Sequence, residues 1–158
     1  MLEYYCMGPE LKTILLSMTP INELRGTIPL AIGLWHLSPL KAVFLACMGN
    51  MIPVFFLLWF WKNLAGFLME KSTLIDKIFN WSFKRTRRRF YKKHSLYGNL
   101  ALILFVAIPL PLTGAWTGTI ASFIFGMPYW KSLGLIFIGV ILAGILITLG
   151  TMGIISII

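Results

Sequence analysis

Four apolar stretches run along the chain, and they are of two kinds. Leu40–Trp61 and Ser132–Ile158 are continuous, and the second carries no charge at all. Each is at least as long as the ~20 residues that cross a hydrocarbon layer of about 30 Å. Both are expected to be transmembrane helices, with Trp59, Trp61 and Trp130 at their ends as an aromatic belt. The other two stretches are broken. Leu11–His36 is interrupted by Pro20, Gly26 and Pro29, and Leu96–Met127 by Pro109, Pro111, Gly114 and Gly118. Proline removes a backbone donor and clashes with the preceding turn. The unbroken arms, Leu11–Met18, Gly26–Trp35, Leu96–Ile108 and Gly118–Met127, reach about half a bilayer at about 1.5 Å per residue. Half-length arms around a broken tip predict re-entrant hairpins. Such tips are allowed at membrane depth only where protein or a water-filled cavity covers the free backbone groups.

The order hairpin then span occurs twice. A hairpin returns to its own side and a span changes sides, so the second unit starts on the opposite face. That is an inverted repeat. Weak sequence echoes accompany it: Gly26-Thr27-Ile28 recurs as Gly118-Thr119-Ile120, and Lys41 stands before Gly49 as Lys131 stands before Gly139. The expected fold is an all-α integral membrane protein with two transmembrane helices and two re-entrant hairpins. Residues 1–158 form one membrane domain. Its first repeat is 1–61 (hairpin 11–36, span 40–61), a basic loop occupies 62–95, and the second repeat is 96–158 (hairpin 96–127, span 132–158).

Composition agrees. The 158 residues are 58% hydrophobic and 12% charged, which is a membrane composition. Glu3 and Glu10 precede the first apolar run without a basic start, so no cleavable leader is expected. Cys6 and Cys47 make no disulfide framework and read as small apolar filler.

Charge adds an orientation. Ten of the fourteen basic residues lie between Lys62 and Lys93, opposed only by Glu70 and Asp76. A basic run can bind nucleic acid, but directly after an apolar span it marks the cytoplasmic side. Nucleic acid is therefore not expected as a partner. Leu74, Ile75, Ile78 and Phe79 recur at helical spacing, which suggests an amphipathic helix on the cytoplasmic surface. Lys84, Arg85, Arg87, Arg88, Arg89, Lys92 and Lys93 extend its positive face. They serve either as a topology determinant or as a contact for anionic lipid head groups.

The candidate chemistry sits at the two tips. Glu23 and Arg25 lie between Pro20 and Pro29 at expected membrane depth. A charge at the bilayer centre costs roughly 2.5–3.5 kcal/mol on insertion scales, so it marks a functional site by default. Glu23 is a candidate proton carrier and Arg25 a planar donor fork for an anionic group, each the expected partner of the other. The second tip, Ile108–Gly118, holds Pro109, Pro111, Thr113, Gly114, Trp116, Thr117 and Gly118. It offers hydroxyls, an indole donor and free backbone amides. If Gly118 opens the next half-helix, the helix's positive end faces the tip and suits an anion; the alternative is close packing through Gly114 and Gly118. Asn50, one turn from Pro53, faces either the cavity or a helix-packing hydrogen bond. Gly139/Ala143 and Gly144/Thr148 read as a packing face. His36 and His94 have no partner pattern. No metal-ligand spacing, no nucleophile with a nearby base and no glycine-rich phosphate loop is present, so neither enzyme activity, metal nor cofactor is expected.

The segments Pro20–Ala31 and Phe105–Pro111 with Thr113–Gly118, together with Gly49-Asn50 and Tyr97-Gly98, resemble the small multi-drug export proteins. The resemblance spans nearly the whole chain and departs at Leu112, where glycine is expected and where a ligand's approach to the backbone is at stake. That family is in turn remotely similar to the DedA and VTT-domain membrane proteins. The resemblance implies two hairpins facing each other, and either export of small compounds or movement of lipids such as polyprenyl phosphates. The expected function is a secondary, proton-coupled exporter of small or anionic amphipathic compounds, multi-pass in the cell membrane and plausibly a homodimer. The alternatives are a DedA-like lipid or polyprenyl-phosphate flippase or scramblase, and a non-transporting scaffold with a lipid-binding basic loop.

Overall fold

The computed structural model describes residues 8–71, 95–109 and 113–156. Among these the chain is helical throughout: α1 (Pro9–Ser17), α2 (Glu23–Gly33), α3 (Pro39–Lys71), α4 (Ser95–Ala107), α5 (Ala115–Ile124) and α6 (Tyr129–Ile155). The basic positions 84–93, the amphipathic segment around Leu74, Cys6, Pro111 and Leu112 lie outside the described residues.

Among the described residues two helices are long and apolar enough to cross a membrane, over Pro39–Leu64 and Tyr129–Ile154. α3 runs on past the expected end at Trp61 to Lys71. Lys62 and Glu70 end the apolar run, but both are good helix formers, and no proline stands between Lys62 and Lys71 to stop the helix. Pro53 lies inside α3 without ending it. Its lost hydrogen bond frees one carbonyl, at Gly49, and the helix continues. The outward faces of both long helices are apolar, with Phe44, Phe56 and Trp59 on α3 and Ile145, Leu146 and Leu149 on α6 all exposed. This is the surface of a membrane protein, where lipid tails and not water meet the side chains.

The four short helices have 9, 11, 13 and 10 residues, or about 14–20 Å. Their starts differ from the expected arms. α2 opens at Glu23 and not at Gly26, so both tip charges belong to its first turn. α5 opens at Ala115 after Gly114, so Gly118 lies in its second turn. Pro29 sits within α2, whose neighbouring Thr27, Ile28 and Ala31 are fully buried. Their packing outweighs the single hydrogen bond that proline removes.

α1, α2 and α3 pack on one another, as do α4, α5 and α6. The two groups join where α3 meets α6, α2 meets α6 and α3 meets α5. The core at this junction includes Leu24, Ile28, Ala46, Val54, Ile136 and Val140. Glycines set the closest approaches. A Cβ on Gly49 would collide with the Ile14 carbonyl and Ser17 of α1. A Cβ on Gly139 would lie 2.7 Å from Val106 Cβ and 3.1 Å from the Ile103 carbonyl of α4. The expected packing face of α6 is therefore real, and it is divided. Gly139 serves α4, while Gly144 faces Leu24 of α2 and Val43 and Cys47 of α3.

Candidate functional site

The first turn of α2 and the first turn of α5 meet head to head. Each helix start leaves backbone N–H groups without an intrahelical acceptor and carries about half a positive charge. Neither start has a side-chain cap from its own N-cap residue. Glu23 meets part of this deficit across the junction. It is 8% exposed, and its Oε1 accepts from the Trp116 backbone amide at 3.5 Å, with the Ala115 amide also directed at the carboxylate. A glutamate from one tip thus caps the helix that starts at the other.

Gly114 makes this possible. A Cβ there would overlap the Glu23 carboxylate, and the residue's φ is +154°. Glu23 has a φ of 41°, a left-handed conformation that costs a non-glycine residue about 1–2 kcal/mol. Backbone strain and a buried carboxylate therefore coincide at one residue.

Arg25 also reaches across. Its guanidinium donates to the Thr113 carbonyl and, at 3.0 Å, to the Thr113 hydroxyl. Thr113 Oγ1 in turn donates to the Ile108 carbonyl at 2.8 Å, so Arg25 ties down the ends of α4 and of the second tip. Glu23 and Arg25 were expected to be each other's partners. Instead both bind the opposite tip, and Arg25 acts on the carboxylate through its nearby charge.

Glu23, Arg25, Asn50, Gly114 and Ala115 line a common cavity, closed on its apolar side by Val140 and Ile147. Its volume is about 10 Å³, room for roughly one water. Asn50 is fully buried, and among the described residues neither its Nδ2 nor its Oδ1 has a hydrogen-bond partner. A buried polar group left unpaired costs about 1–3 kcal/mol, and both unpaired atoms of Asn50 sit on a residue that lines this cavity.

The remaining predicted residues divide. Thr113, Gly114 and the Trp116 amide contact Glu23 or Arg25, whereas the Trp116 indole Nε1 is buried with no hydrogen-bond partner among the described residues. Thr117 donates to the Gly114 carbonyl at 3.3 Å and does not line the cavity. Gly118 packs against Val106, 2.7 Å from where its Cβ would be. Pro109 is exposed just past α4. Sequence reasoning missed the apolar wall, because Val140 and Ile147 carry no signal that separates them from other residues of an apolar span. No group of three or more potential metal ligands occurs among the described residues.

The family described as "Putative small multi-drug export protein" matches residues 23–146. The chain belongs to this family. The match begins at Glu23 and takes in the first tip from that residue onward, the second tip, and the cavity wall as far as Ala143. No curated protein and no solved structure matches the chain, and nothing in these comparisons extends the family to the DedA and VTT-domain proteins.

Proposed function

We propose that this exporter-family protein is a proton-linked secondary transporter for compounds bearing one anionic group, and that Glu23 and the substrate compete for the same donors. The observation that carries this reading is the Glu23 carboxylate seated on the amides that open α5, beside Arg25. Two helix starts and one guanidinium exceed the charge of one carboxylate. Ionised, Glu23 fills the site itself. Protonated, it releases the Ala115 and Trp116 amides, and a substrate anion takes its place. Asn50 supplies a neutral donor and acceptor for the exchanged water or proton. The cavity's small volume fits the self-occupied form.

The architecture behind this reading is an inverted repeat of two re-entrant hairpins and two spans, forming one domain. Several observations support it. The helix contacts keep their pattern when α1, α2 and α3 are exchanged for α4, α5 and α6. Positions 36–60 and 126–150 follow one order of buried, half-buried and exposed residues, departing only at Cys47 against Phe137 and Pro53 against Ala143. Positions 23–34 and 114–125 do the same, departing only at Pro29 against Ile120. The left-handed residues His36 and Gly126 also correspond, with φ 51° and 63°. In this register Thr27 matches Gly118, so the Gly-Thr-Ile echo in the sequence is out of step by one residue.

The protein is then multi-pass in the cell membrane, with the basic segment inside, in reach of anionic lipid, and both termini outside. Thr19, Pro20 and Ile21 of the first tip are exposed, and a tip at membrane depth needs cover. A second copy provides it, which makes a homodimer the working assembly.

The test is flux of a small amphipathic carboxylate or phosphate in proteoliposomes across a pH series, with a polyprenyl phosphate as a parallel substrate. Wild type should bind the anion more tightly as pH falls. Glu23→Gln should bind it at all pH values, with the pH dependence gone. A folded Glu23→Gln protein with unchanged flux and pH profile would falsify the competition. Movement of the polyprenyl phosphate alone would turn the reading toward a lipid flippase.

A further inference from the structure

A second cavity, of about 210 Å³, lies away from the tips, between the later half of α3, the end of α5 and the start of α6. Its chemistry is two-sided. Leu58, Trp61, Phe123 and Met127 form an apolar wall, with Trp61 and Phe123 stacked at 5.7 Å between ring centroids. Lys62, Ser132 and the first turn of α6 form the polar side. α6 is 27 residues long and has no side-chain cap, and its N-cap residue is Pro128. Its first amides therefore present a positive end into the cavity. Ser132 is 1% exposed, yet its hydroxyl has no hydrogen-bond partner among the described residues. An orphan hydroxyl is costly in so apolar a setting unless something outside the chain accepts from it.

We propose that this cavity binds one anionic amphiphile. Its oxyanion head accepts from the first-turn amides of α6, the Ser132 hydroxyl and the Lys62 ammonium. Its apolar chain lies along Trp61, Phe123 and Leu58. The corresponding place in the other half has Ala42 for Ser132, Met152 for Lys62 and Thr151 for Trp61, so the site exists at one end of the molecule only. As a loading station on the basic-loop side it rests on the transport reading; as a binding site it does not.

Equilibrium binding tests it without any transport step. The full-length protein is placed in nanodiscs of zwitterionic lipid and titrated with dodecyl phosphate brominated on its chain. Tryptophan quenching is read against a Trp61→Phe background. Wild type should show saturable quenching that Trp61→Phe lacks, and dodecanol should not compete. Lys62→Gln and Ser132→Ala should each weaken binding about tenfold, the loss of one charge-assisted or one buried hydrogen bond, and Lys62→Arg should restore it. Both lesions are structurally mild, since Lys62 is exposed and the counterpart of Ser132 is already alanine. Thermal unfolding checks each variant. Phosphatidic acid added to the nanodiscs identifies the source: competition marks a resident lipid, and no competition marks a single-chain cargo, both with the oxyanion chemistry. Unsaturable quenching, equal binding in Lys62→Gln and Ser132→Ala, or equal competition by dodecanol would overturn the site.

Discussion

The two tips meet at one carboxylate and differ in backbone conformation and in chemistry. Positive φ occurs in both, at Glu23 (41°) and at Gly114 (154°, with ψ −165°), the latter a conformation that essentially only glycine adopts. The second tip uses glycine, which takes that conformation at no steric cost. The first uses glutamate and accepts the strain. Only one of the two can carry a side chain, because the carboxylate of the first fills the space beside the second. The asymmetry between the tips thus lies in a single filled position, and the first tip is the one that fills it, because the backbone at Gly114 suits glycine alone.

The largest effect should come from a pair of glycines that the halves treat alike. Gly49→Val and Gly139→Val each push side chain into the backbone of the neighbouring short helix. Overpacking of this kind costs typically about 1–3 kcal/mol and more where backbone must move. Both should show a large fall in melting temperature in detergent. A fall in one alone would break the equivalence of the halves.

Next comes the filled position. Gly114→Ala should abolish flux in a protein that still inserts, because its Cβ displaces the Glu23 carboxylate. Combining it with Glu23→Gly removes the collision with the carboxylate but not the backbone strain at position 114, so the double variant should recover part of the stability and none of the pH-dependent flux. If Gly114→Ala alone transports normally, the head-to-head contact of the tips is not the working site.

A smaller contrast lies at the far ends of α2 and α5. His36, with φ 51°, corresponds to Gly126, with φ 63°. His36→Gly should stabilise, by up to about 1–2 kcal/mol, the left-handed cost it removes. Gly126→Ala should destabilise by a similar amount. Chemical denaturation of both variants measures this, and effects of the same sign would contradict the correspondence.

The smallest effect belongs to the surface pair Glu10 and Lys41, whose Nζ and Oε1 are 2.8 Å apart. The hydrogen bond from the Lys41 ammonium holds the Glu10 carboxyl below its ordinary value. A carboxyl lowered in the folded state stabilises above its unfolded value and loses that contribution as pH falls through the lowered one. The pair is solvent-exposed, so Glu10→Gln should shift the melting temperature barely measurably at neutral pH. The remaining difference should vanish in acid.

Much of this fold was legible. Continuous apolar runs gave the two long helices, and proline with glycine gave the breaks, because both signals are local. The exact starts of the half-helices were not. Glu23 and Arg25 read as tip residues because nothing local shows that a carboxylate will cap a helix some ninety residues away. Pro29 read as a breaker because the burial of Ile28 and Ala31 against other helices is tertiary. Asn50 is open between two roles in the sequence, because its lack of a partner among the described residues and its place in the cavity lining are tertiary. Ser132 was taken only as the first residue of a span. Its isolation appears only once α3 and α5 are packed around it.

A site occupied by its own chain has an electrical consequence. A tethered carboxylate stands at an effective concentration of about millimolar or higher. Chloride or free phosphate arriving at the tips finds the amides already taken, and it lacks the apolar body that would help it displace Glu23. In the proposed mechanism the Glu23 carboxylate would thus keep small inorganic anions off the tip amides without a separate gate, and the resting site would carry no leak current.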